Sequence, residues 1–188
     1  MRSRTLVVAL FAGCAALIGG AGCESSSATL TFVSYADPYF PERTTLTFRD
    51  CAYRIDPGGD IHIAARRDTT TDQDRLVVRE FLHVHLYWKP HPGKTPADPT
   101  MADTVIRYVV ATPEGTALYT GTGFAFPNTR PGRQLEVALE SGRLRLVSTT
   151  GTLTDALGET RVSGRLTARR DPGLAARFTH ELEVIAAR

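Results

Sequence analysis

The sequence predicts an all-β domain, an antiparallel β-sandwich with a β-barrel as the alternative architecture. Three observations predict it. Apolar and polar residues alternate with period two through most of the chain beyond residue 27. The alternating runs are rich in Thr, Val and aromatic residues. Turn-forming clusters separate them at short intervals. Alternation puts successive side chains on opposite faces of a strand, so one face packs and the other meets water.

The elements follow in order. Residues 28–34 set Leu30 and Phe32 against Thr29 and Thr31, and residues 44–49 repeat the pattern. The two Thr-Leu-Thr-Phe copies read as similar strands rather than a true repeat. Ile61, Ile63 and Ala65 alternate in a third strand. Residues 76–88 form a long strand with Leu82, Val84, Leu86 and Trp88 on its apolar face. Strands are expected at 104–112, 116–126, 134–140 and 143–150, and Val162, Leu166 and Ala168 share a face of the next. The stretch from Leu174 is the one serious helix candidate, but Phe178, His180, Leu182 and Val184 alternate there, so a last strand is expected at 177–185. Asp56-Pro57-Gly58-Gly59, Pro113-Glu114-Gly115, Pro131-Gly132, Ser141-Gly142, Leu157-Gly158 and Asp171-Pro172-Gly173 read as turns. Gly121 and Gly123 fall inside a strand pattern and mark a bulge or a close backbone approach. Four prolines in 89–100 exclude that stretch from a sheet interior. Tyr35, Tyr39 and Phe40 lie in another loop, where folding back onto the domain is expected ahead of a binding rim.

The first residues follow a different logic. Arg2 and Arg4 precede an apolar stretch from Leu6 to Ile18, then Gly19-Gly20-Ala21-Gly22, Cys23 and the polar run Glu24-Ser25-Ser26-Ser27. This order marks an export signal, with an apolar core short for a bilayer span. Gly20-Ala21-Gly22-Cys23 resembles the lipobox of bacterial lipoproteins, although that class commonly has an aliphatic residue where Gly20 stands. The resemblance implies a signal peptide over 1–22, a fatty acyl anchor such as palmitate on Cys23, a short polar linker over 23–27 and one domain over 28–188. Glu24 after the cysteine implies, by the same resemblance, the periplasmic face of the outer membrane. No family is recognised for the mature domain.

Removal of residues 1–22 takes Arg2 and Arg4 with it, leaving 20 basic residues against 20 acidic ones. A neutral domain has no electrostatic reason to bind nucleic acid. Cys14 goes with the signal and Cys23 takes the lipid. Cys51 is then alone, without an intramolecular disulfide, and is expected as a small buried apolar residue.

Chemistry is concentrated at His83-Val84-His85. Alternate strand residues share a face about 6.8 Å apart, so two imidazoles can converge on one metal. His62 or His91 would supply a third ligand, and Phe81 and Tyr87 share the face. The spacing resembles the His-x-His of cupins, but the glutamate and glycine expected downstream are absent. The plainer reading puts both histidines on a solvated face, and no metal is assigned. His180 is expected as a hydrogen-bonded core histidine, and Asp68, Asp72 and Asp74 as a solvated acidic turn. Gly-x-Ser-x-Gly and His-Glu-x-x-His motifs are missing.

These readings converge on a lipid-anchored cell-envelope protein with a non-catalytic binding or scaffolding role. No cofactor is expected. The expected partners are the membrane, through the lipid, and an envelope protein. The alternatives are a metal-binding protein or metal-dependent enzyme using His83 and His85, and a small-ligand carrier with a barrel cavity.

Overall fold

The computed structural model describes residues 26–37, 39–71, 76–87 and 103–187. The signal segment, Cys23, Asp72, Asp74, Trp88, His91 and the proline-rich stretch 89–100 lie outside the described residues.

The chain forms β1 (Ser27–Ser34), β2 (Glu42–Phe48), β3 (Asp50–Ile55), β4 (Ile61–Thr71), β5 (Leu76–Leu86), β6 (Thr104–Thr112), β7 (Gly115–Pro127), β8 (Gln134–Thr149), β9 (Thr160–Arg170) and α1 (Pro172–Ala186). From β3 to β9 each strand pairs antiparallel with the next. Seven strands in alternating directions leave the first and last parallel. β9 and β3 accordingly meet as a parallel pair, Ala52 opposite Arg169 and Tyr53 opposite Arg170, closing a seven-stranded barrel. β1 occupies the rest of that edge of β9, from Thr160 to Thr167, and pairs with β2 on its other flank.

The architecture is therefore the barrel and not the sandwich. Both present the same alternation, and the difference lies in closure. Here one sheet coils until its ends meet, and local irregularities supply the bending. Between Thr122 and Phe124 the β7–β8 register shifts at Gly123. At Gly121 the backbone of β8 comes so near that a Cβ would sit 1.5 Å from the Arg143 carbonyl oxygen. The strands expected at 134–140 and 143–150 are one strand, β8. Ser141 takes a φ of 51°, and the register against β9 shifts between Leu139 and Gly142. The Ser-Gly turn signal thus marks a bulge within a continuous strand.

Inward side chains fill the barrel. Phe32, Phe48, Tyr53, Ile61, Ile63, Leu82, Val84, Ile106, Tyr108, Tyr119, Leu135 and Leu166 are all buried in one core. Where polar groups enter, they are paired. The Tyr108 hydroxyl donates to Glu80 Oε1 at 2.5 Å, and Arg67 lies 3.3 Å from Glu80 Oε2. Tyr53 donates to the Gly132 carbonyl and Tyr119 to Asp155 Oδ1. Cys51 is fully buried in this core, and burial pushes its thiol up to about 12, which removes it as a nucleophile at neutral pH.

The expected last strand is a helix. Asp171 caps it, accepting from the Leu174 N–H at 2.9 Å, and Pro172 occupies the first turn. The Asp-Pro-Gly signal is thus a helix start rather than a turn. Leu174, Ala175, Phe178, Leu182 and Ile185 form the apolar stripe of a 3.6-residue period, and that stripe lies on the outside of the barrel. Ala52 and Ala64 are small enough to let the helix approach the sheet, and Phe81 and Val109 complete the surface it covers. His180 falls on the opposite side of the helix and is exposed, so it is not a core histidine. No helix of the described residues is long and apolar enough to cross a membrane.

Candidate functional site

The register of β4 on β5 brings His62, His83 and His85 together. His62 lies directly opposite His85, and His83 sits opposite Ala64, one pleat along on the same outward face. The inward face between them carries Ile63, Val84 and Leu86, all buried. The alternation thus places the histidines on the face expected for them. That face is not wet, however. α1 lies over it, leaving His83 only 7% exposed and Phe81 1%. The solvated reading of His83 is corrected for one reason: the segment expected as a strand is the helix that covers it.

The three rings are stacked. His62 and His85 lie 4.2 Å apart between centroids at 16°, and Tyr87 packs on His85 at 4.2 Å. Two carboxylates flank the rings from the β3–β4 turn. Asp60 Oδ2 is 3.1 Å from His85 Nε2, and Asp56 Oδ2 is 3.5 Å from His62 Nε2. The turn itself is closed by Asp56, whose Oδ1 accepts the Asp60 N–H at 2.9 Å. Arg54, Arg107, Thr179 and Glu183 complete the wall of a pocket of about 230 Å³.

Electrostatics keep the inner histidines neutral. Burial lowers the His83 pKa to about 3, with His62, Arg107, His85 and Arg54 adding like-charge repulsion. His62 is lowered too, first by burial and then by Arg54 and His85, against the pull of Asp56. The tautomers follow. His62 Nε2 faces a carboxylate and carries the proton, so its Nδ1 accepts. His83 Nε2 lies 3.2 Å from that Nδ1 and donates to it. His83 Nδ1 is then a bare acceptor, buried with no hydrogen-bond partner. The result is a directional chain from Asp56 through two imidazoles to an unsatisfied lone pair under the helix.

Among the described residues, no group of three or more His, Cys, Asp and Glu side chains is arranged to hold a metal ion. His83 and His85 do not converge on each other, with centroids 6.4 Å apart. The pair whose ring nitrogens come within hydrogen-bond reach is His62 and His83, at 3.2 Å. Asp56, Asp60, Arg54, Arg107 and Glu183 were not singled out in the sequence. Asp56 and Asp60 flank the turn that leads into His62, a proximity visible in the chain, whereas Arg107 and Glu183 arrive through pairing and helix packing.

The remaining candidates lie elsewhere. Asp68 is on β4 and holds Arg66, which also reaches Glu181 of the helix at 3.3 Å. The loop aromatics do not fold back as expected. Tyr39 is 85% exposed and Phe40 76%, while Tyr35 stays near the barrel with the Arg161 guanidinium 5.4 Å from its ring centroid. No protein-family model, no curated protein and no solved structure matches this chain.

Proposed function

We propose that this is an envelope-tethered binding or scaffolding protein, held to the membrane by an acyl group on Cys23 and acting through its outer surface. The carrying observation is the contrast between a filled barrel and a bare loop tip. Aromatic and aliphatic side chains occupy the axis where a carrier would hold its ligand. Two large aromatics meanwhile project from the β1–β2 hairpin at 85% and 76% exposure, a costly surface for a protein without a contact to make. The test has two parts. Intact mass of the full chain expressed in a bacterial envelope should show loss of residues 1–22 and acyl mass on Cys23, abolished by Cys23→Ser. A photo-cross-linker at position 40 should trap one discrete envelope component. A cut elsewhere with an unmodified Cys23, or no cross-link, would defeat the reading.

A second reading is favoured by one distance. His62 Nδ1 and His83 Nε2 are 3.2 Å apart, close to the separation of two nitrogens each about 2.0–2.1 Å from one tetrahedral metal. Metal would replace the shared proton, and water would complete the shell. Thermal stabilisation by zinc, copper or nickel, lost in His62→Ala and His83→Ala, supports this reading. No shift with any of the three ends it.

A further inference from the structure

The outer face of β2, β1, β9 and β8 carries a cationic pattern that pairing alone brings into line. Arg43 lies opposite Val33, Val33 opposite Arg161, and Arg161 opposite Arg143, a single row across four neighbouring strands. At the usual strand spacing this row is about 15 Å wide. Two pleats along, Thr47, Thr29 and Arg165 form a parallel row, and Arg49 follows Thr47 on the same side of the chain. Arg43, Arg49, Arg143, Arg161 and Arg165 are all exposed, and none is in an ion pair among the described residues. The acids at or beside this face are Glu136, opposite Thr167, Glu140 at the bulge, Glu159, which lines a surface pocket with Arg143, and Asp50 next to Arg49. α1 packs on β3 to β7 and meets this face at its corner by Thr47 and Arg49, where Leu174, Arg177 and Phe178 share a pocket with those residues.

Two features separate this pattern from ordinary surface charge. The domain without its signal is formally neutral, so arginines gathered on one side mean acids gathered elsewhere and a molecule with an electrostatic direction. Arg161 and Arg143 also sit directly opposite each other, an arrangement that weakens a strand pair. A cost retained in the folded state points to a use outside it.

The position of the tether indicates the use. Ser27 begins β1 and lies on this face, opposite Thr167. Only Glu24, Ser25 and Ser26 separate it from Cys23, so the chain reaches at most about 14 Å from Ser27 to an anchor there. A barrel held that closely rests against the surface that holds it. The face beside the tether is cationic, and the hairpin that supplies two of its strands ends in Tyr39 and Phe40, side chains suited to the boundary between headgroups and acyl chains.

We propose that the β2–β1–β9–β8 face docks on a membrane through the phosphates of anionic lipid headgroups, with Tyr39 and Phe40 entering the interfacial layer. The geometric part of the argument rests on the anchor reading above, but the chemistry of the face does not need the lipid. The described elements lie within residues 27–186, so residues 24–188 without acylation carry the whole barrel and test the face alone. The measurement is co-sedimentation with phosphatidylcholine vesicles, with and without about one-third phosphatidylglycerol. The expected result is binding to the anionic vesicles, little to the neutral ones, and release as salt rises.

Each arginine at such a surface is worth about fivefold in partitioning. Arg43→Gln/Arg143→Gln/Arg161→Gln should therefore lower binding about 100-fold. Arg79→Gln, on β5 across the barrel, should leave it unchanged. Unaltered circular dichroism in the triple variant, and melting no lower than that of the parent chain, keep the comparison interpretable. Equal binding to both vesicles, no binding to either at low salt, or an equal loss in Arg79→Gln would overturn the proposal. So would capture of polyglutamate in preference to anionic vesicles, which would assign the face to an acidic protein. The mass at Cys23 decides the anchor separately, so the two ideas fail apart.

Discussion

Two outer faces of one barrel have opposite fates. On β3 to β5 the outward side chains include Ala52, Ala64, Phe81 and three histidines beside Arg54 and Arg66, and a helix packs over the small and apolar ones. On β2, β1, β9 and β8 they are mainly threonines, serines and arginines, with Val33, Glu136 and Glu140 among them, and most are exposed. Both surround the same core, so the interior does not decide the difference. What decides it is side-chain size and charge on the outward positions. Small apolar residues admit a helix, whereas a row of arginines keeps water. The comparison teaches that a barrel's outward pattern reports its neighbours as faithfully as its inward pattern reports its core.

Variants can break or sharpen that contrast. The largest expected effect comes from separating the helix from the sheet. Phe178 is 4% exposed between Leu174, Ala175 and the two sheet alanines. Phe178→Ala should cost about 3 kcal/mol in urea unfolding, by lost burial plus the cavity left behind. A loss under 1 kcal/mol would mean that the helix is not held as described.

The next effect is pH dependence confined to the covered face. His83 has a folded pKa of about 3, below the value of 6.5 it regains on unfolding. The unfolded state therefore takes up the proton first. The stability this histidine contributes is present above pH 6.5 and is lost as pH falls from 6.5 towards 3. By pH 4.5 the loss should reach about 2.5 kcal/mol. His83→Gln should flatten the stability profile in this window relative to the parent chain, whereas Arg161→Gln should leave its shape alone. Parallel profiles for His83→Gln and the parent would show that His83 does not titrate against the fold.

A smaller effect belongs to the start of the helix. Asp171→Ala removes the side-chain acceptor for the Leu174 N–H and should lower stability by about 1 kcal/mol. Asp171→Asn should restore most of it. The smallest prediction reverses the sign. Arg143→Thr relieves the opposed pair with Arg161 on the bare face and should raise stability by about 0.5 kcal/mol, more at low salt than at high. A loss of similar size would mean that the arginine row supports the fold.

The strands were largely legible. β6 falls at Thr104–Thr112 as its pattern indicates, and the inward residues of β1, β4 and β5 are those the alternation picks out. Closure was not legible, because a barrel and a sandwich share the same local pattern, and Ser141-Gly142 reads as a turn until the register shows a bulge. The helix was misread because positions 178, 180, 182 and 184 fit period two while 174, 175, 178, 182 and 185 fit 3.6. Asp171 before Pro172 was the signal that could have decided between them. Choosing the strand over the helix also hid the burial of His83, since a strand there leaves nothing to cover it. Each arginine of the bare face is ordinary in the sequence. Their row depends on which residue of β9 stands beside which residue of β8, and only the folded register contains that.

The position of β1 has a mechanical consequence. An edge strand pulled from one end peels away one hydrogen bond at a time. β1 is instead flanked on both sides, in register with β2 from Ala28 to Ser34 and with β9 from Ser27 to Thr160's partner Ser34. A load applied upstream of Ser27 along the strand is shared by two ladders at once. It would have to shear both before reaching the seam where β9 meets β3 over two residue pairs. The short parallel seam, the natural place for this barrel to split, is thus shielded from traction on the N-terminal chain.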